Sequence, residues 1–115
     1  MNSNTKSEQN VVLSDEVIAK MVAVAASEIE GVCELVPNPD IKTILSSKSK
    51  RTVYIHRSQN SIVIDMYVKL KSGVNIVSVC NAVQENVKKT IQNMTGNAVS
   101  KVNVFVIDID IPTEE

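Results

Sequence analysis

Chemistry in a protein rests on a few side chains, and this chain has few to offer. It carries one histidine, His56, and two cysteines, Cys33 and Cys80. A nucleophile and base pair would have to join Cys33 to His56, yet the two sit in different segments with no sequence reason to meet. The same three residues have no zinc-ligand spacing, and Cys80 falls on an apolar stripe, as a small core residue does. Asp108 and Asp110 alternate onto one side of a predicted strand. Paired carboxylates suit metal binding or acid–base work, but no third ligand adjoins them, so they read as a solvated strand end. The three glycines, Gly31, Gly73 and Gly96, build neither a phosphate-binding loop nor a GXXG clamp on a nucleic-acid backbone. The residues predict no catalytic group, no cofactor and no metal site.

Two surface constellations remain. Tyr54, His56, Tyr67 and Lys69 fall on what a period of two makes the open face of a sheet. Aromatic rings beside a cation suit base stacking, and Lys48, Lys50, Arg51 and Arg57 would extend that face. Strand faces also favour tyrosine for packing alone, and the glycine–aromatic signature of RNA-recognition sheets is missing. A small RNA-binding module is therefore the alternative reading. The second constellation is Phe105, Ile107, Ile109 and Ile111, on one side of a strand whose other side carries Val102, Val104 and Val106. Two helices over one sheet face do not cover both sides. The Phe105 set is thus predicted to meet a partner or a second copy.

The elements that position these residues follow from caps and periodicity. Ser14 is an N-cap, Asp15 and Glu16 suit the positive end of a helix, and Ile18, Val22, Ala25 and Ile29 recur at helical spacing. This predicts a helix over 15–30, closed by Gly31. Val11 to Leu13 reads as a short strand before it. Pro37 and Pro39 bracket Asn38 in a turn that no helix crosses, which predicts a mobile loop over 33–51. Thr52 to Arg57 is a strand, Ser58 to Ser61 a hairpin turn, and Ile62 to Lys71 a strand that alternates apolar and polar. Asn75 caps a second helix, with Val79, Val83, Val87 and Ile91 on its apolar stripe and Gly96 at its end. Val99 to Ile111 is the last strand. The predicted order is β-α-β-β-α-β. The fold class is a small α+β two-layer sandwich, with two helices on one face of a three- to four-stranded sheet.

Composition sets the outer bounds. A chain of 115 residues with 43% hydrophobic and 22% charged residues is one ordinary globular domain, predicted over 11–112 with tails at 1–10 and 113–115. Aromatics make up only 3%, so the core is aliphatic. A net charge of −1 removes the broad basic field of a sequence-independent nucleic-acid binder. No apolar run is long enough to span a bilayer, and the polar first ten residues lack a secretory core. The two cysteines then read as reduced thiols in a cytoplasm.

Six motifs lie in order along the chain. Leu13-Ser14-Asp15-Glu16-Val17-Ile18-Ala19 opens the first helix, and Ala23-Val24-Ala25-Ala26-Ser27-Glu28-Ile29-Glu30-Gly31-Val32 closes it. Gly73-Val74-Asn75-Ile76, Val83-Gln84-Glu85-Asn86-Val87, Met94-Thr95-Gly96 and Val102-Asn103-Val104-Phe105-Val106 follow. Together they resemble the alkaline shock protein family of Gram-positive bacteria, also called the envelope stress response family, over about Val11 to Ile111. Ser72, Asn97 and the loop at 33–51 depart from the family's pattern. The resemblance implies a non-enzymatic protein of cell-envelope homeostasis and alkaline stress. It would be cytoplasmic, and membrane-associated only through a partner. It would act as a scaffold, by self-association into a homo-oligomer or by docking on a membrane-anchored or lipid-metabolism partner. The motifs themselves are caps and stripes, and no active site transfers with them.

Overall fold

The computed structural model describes residues 12–39 and 51–111. The predicted tails, Val11, most of the predicted 33–51 loop, and Lys48 and Lys50 lie outside the described residues.

Helix α1 spans Asp15–Ser27 and α2 spans Ile76–Thr95. Both start where the capping side chains predict. Ser14 Oγ accepts from the Val17 amide at 3.2 Å, and Asn75 Oδ1 accepts from the Ser78 amide at 2.9 Å. These bonds satisfy amides that have no partner inside the first turn. Gly96 ends α2 in the left-handed region, its amide returning to Gln92 O. Helix α1 stops earlier than predicted. Glu28 is its C-cap, and Gly31, at φ +109°, belongs to the turn that follows.

The strands are β1 (Val32–Leu35), β2 (Val53–Arg57), β3 (Ser61–Lys71) and β4 (Ala98–Asp110). The two-layer α+β sandwich stands as expected, but the element order is α-β-β-β-α-β. The predicted strand ending at Leu13 is not one. Leu13 O is taken by the Arg57 guanidinium at 2.9 Å, and the chain passes straight into the Ser14 cap. A strand was instead hidden at the start of the predicted loop, since β1 begins at Val32. Four residues are too short for alternation to show, and only pairing with β3 makes them a strand.

Strand β3 is the spine of the sheet. One edge is shared end to end by two antiparallel partners, β2 along Ile62–Met66 and β1 along Val68–Leu70. The other edge pairs with β4 in parallel along its whole length. Every second residue of β3 is buried: Ile62, Ile64, Met66, Val68 and Leu70. They form one core with Ile18, Val22, Ala25 and Ala26 of α1 and Val79, Val83, Val87 and Ile91 of α2. Both helices therefore pack on one face.

Strand β4 departs from simple alternation. Its register against β3 shifts twice, which leaves Ser100 and Ile107 as extra residues. Such a bulge moves the following side chains to the other face. Val99 and Val102 thus both reach the core despite their odd spacing. Beyond Ile107 the same shift turns Ile109 inward against the core, opposite Leu70. Phe105, Ile107, Ile109 and Ile111 are consequently not one stripe.

Candidate functional face of the sheet

The face of the sheet opposite the helices carries two rows of side chains across β2, β3 and β4. The register explains both: Tyr54 lies opposite Asp65, Asp65 opposite Asn103, and Tyr67 opposite Phe105.

The first row is aromatic. Tyr67 and Phe105 stack with centroids 4.9 Å apart and planes inclined by 17°. Tyr54 meets Tyr67 edge to face at 5.9 Å. Opposed and diagonal neighbours of a sheet lie within ring contact, so the row follows directly from the register. The Arg51 guanidinium sits 5.7 Å from the Tyr54 ring centre and extends the row by a cation–π contact. Asn38 donates to the Tyr67 hydroxyl at 3.1 Å, which brings the segment after β1 onto the same row.

The second row is polar. Asp65 accepts from Asn103 Nδ2 at 2.8 Å and contacts His56 Nε2 at 3.0 Å. One carboxylate thus links all three strands. Each of the row's three groups is engaged by another, and among the described residues His56 makes no hydrogen bond to a nucleophile.

Of the residues assigned to a nucleic-acid face, Tyr54, His56, Tyr67, Lys69 and Arg51 share this side. Arg57 does not. Its Nε donates to Asp15 at 2.7 Å and its Nη2 to Leu13 O, on the helix side of β2, where it ties the strand to the start of α1. The residues assigned to self-association also separate. Phe105 is the outermost ring of the aromatic row, and Ile107 is the bulge residue, each about two-fifths exposed (42% and 41%). Ile109 packs on the core, and Ile111 lies exposed beyond the end of β4. Alternation on β3 puts Asp65 on the open face, but Asn103 and Asn38 were missed as its members, because no local signal pairs Asp65 with Asn103 or Tyr67 with Asn38.

Asp110 receives a long contact from the Cys33 thiol at 3.7 Å, at the far end of β3 from His56. Burial pushes the Cys80 thiol above its ordinary pKa. Among the described residues, no three His, Cys, Asp or Glu gather as a metal site, and no helix is long and apolar enough to cross a membrane.

Comparison with known proteins decides the family. Residues 3–111 match the alkaline shock protein 23 family, whose description is a cell envelope-related function. The chain belongs to that family. Its relatives include the uncharacterized YqhY of Bacillus subtilis (strain 168), 30% identical over 107 residues, spanning 90% of this chain and 79% of YqhY. The uncharacterized Spy1614 of Streptococcus pyogenes serotype M6 is 32% identical over 107 residues, spanning 89% of this chain and 88% of that protein. Among solved structures, a MamM variant superposes with a TM-score of 0.61 at 15% identity, over 90% of this chain and 95% of that one. The copper form of the MamM C-terminal domain gives 0.59 at 13% identity, over 89% and 90%. At such identities the likeness is one of fold alone. Membership of the alkaline shock protein 23 family places this chain in a cell envelope-related function.

Proposed function

We propose that this protein is a non-enzymatic scaffold of the cell envelope. It acts through protein contacts made by its sheet, either with a second copy or with a membrane-anchored or lipid-metabolism partner. The observation that carries this reading is the aromatic row Tyr54–Tyr67–Phe105, which crosses the sheet on the face away from both helices and ends in an exposed ring on the edge strand β4. Aromatic residues in such a setting offer large, stiff contact area at low entropic cost, as interface anchors do. The polar row beside it links β2, β3 and β4 under that surface.

The test is site-specific photo-crosslinking in the native cell. A photoreactive residue replaces Phe105 in one strain and the exposed Lys20 of α1 in another. Adducts with envelope proteins or with the protein itself, formed from position 105 and not from 20, are the expected result. Equal labelling from both positions, or adducts at 105 that disappear with nuclease, would overturn the reading.

A further inference from the structure

Strand β4 forms one edge of the sheet, and among the described residues only its side toward β3 is paired. The geometry points to a second copy of this chain on the other edge. The two β4 strands join antiparallel about a two-fold axis at Val104, so that the two sheets become one. This rests on the self-association arm of the scaffold reading and names its surface.

The first support is the chemistry of the edge itself. Natural edge strands discourage pairing with charges, prolines or a covering element. From Val102 to Ile107, β4 reads Val-Asn-Val-Phe-Val-Ile, with no charge and no proline. Helix α2 covers only the beginning: Gln92 Oε1 accepts from the Val99 amide at 3.0 Å, and Gln84 Nε2 donates to Val102 O at 3.0 Å. Val102 therefore turns its backbone groups outward. Groups of alternate residues share an edge, so those of Val104 and Val106 face outward too. No described side chain bonds to them. A carbonyl has two acceptor positions, so Val102 O keeps Gln84 while accepting a strand amide.

The second support is what the axis brings together. Opposed residues of an antiparallel pair lie on the same face. With Val104 on its own symmetry mate, Val102 meets the partner's Val106 on the helix side. Asn103 meets the partner's Phe105 on the open side. Beyond the Ile107 bulge, Lys101 meets the partner's Asp108, twice by symmetry. Lys101 and Asp108 both belong to the open face, since their neighbours on β3 are Val63 and Lys69. Unlike charges thus flank an uncharged centre. The third support is the aromatic row. Phe105, its exposed last ring, comes to lie diagonally beside the partner's Phe105, and the row runs on across the axis.

The experiment is a charge exchange read by sedimentation over a concentration series, with far-UV circular dichroism to show that each variant folds. Lys101 and Asp108 are seven positions apart on one strand, so they do not meet within a copy. Lys101→Glu alone and Asp108→Lys alone each weaken dimerisation about tenfold or more, because two opposed pairs turn from attraction to repulsion. An equal mixture of the two variants restores it. In the mixed dimer the introduced glutamate faces the introduced lysine, and the Asp108 kept by one copy faces the Lys101 kept by the other. Amide exchange at Val104 and Val106 slows with concentration in the unaltered protein. A dimer indifferent to both substitutions overturns the edge and leaves self-association standing. A protein that remains monomeric at every concentration overturns both.

Discussion

The ring of Phe105 lies flat on the ring of Tyr67, 4.9 Å between centroids, although the two residues are separated by the whole of helix α2. The parallel pairing of β3 with β4 sets them opposite each other. This one contact ties the central strand to the outer strand on the side without helices. Replacing Phe105 by Ala is expected to lower stability by about 1–2 kcal/mol. Tyr67→Ala should lower it more, because Tyr67 also meets Tyr54 and the Asn38 amide. A double-mutant cycle in urea should return a coupling of about 0.5–1.5 kcal/mol. Additive losses would show that the stack contributes only buried area.

Asp65 joins His56 to Asn103 and so holds three strands in one row. Asp65→Ala should cost about 1–2 kcal/mol in denaturant unfolding, as both neighbours lose their partner. His56→Ala should cost less, since that side chain is mostly in water. The opposite order would place the row's stability on the histidine.

Gly31 stands at φ +109°, and a Cβ added there would lie 2.8 Å from Val79 Cγ2. Both the backbone and the approach of α2 to the turn require glycine. Gly31→Ala is expected to destabilise by about 1–3 kcal/mol. Trimming Val79 to Ala in the same chain should recover only the steric part. Thermal melts of the four combinations separate the two.

The two thiols should differ in reactivity. Burial raises the Cys80 pKa, so at a given pH less of it is thiolate, and the thiolate is the nucleophile. Cys33 is exposed on β1. Alkylation with iodoacetamide near neutral pH, followed by peptide mass spectrometry, should label Cys33 first. Cys80 labelling should rise only at a higher pH than for an ordinary thiol. Equal rates would mean that α2 opens as readily as the surface moves.

Local signals were enough for much of this fold. The caps at Ser14 and Asn75, the stop at Gly96, the hairpin between Arg57 and Ser61 and the alternation of β3 depend on residues close in sequence, and all are where the sequence places them. The motifs along the chain pointed to the family that the comparisons establish. Tyr54, His56, Tyr67 and Lys69 were also legible as one face, because a period of two needs no partner to be read. What pairs with what was not legible. Strand β1 exists only because β3 outruns β2 and leaves Val68–Leu70 to be paired. The parallel register of β4, and the bulges at Ser100 and Ile107 that turn Ile109 to the core and leave Phe105 outside, are set across twenty residues of helix. A single sequence carries each strand's own pattern. The choice of neighbour and of register is made by the packing of the whole sheet against α1 and α2.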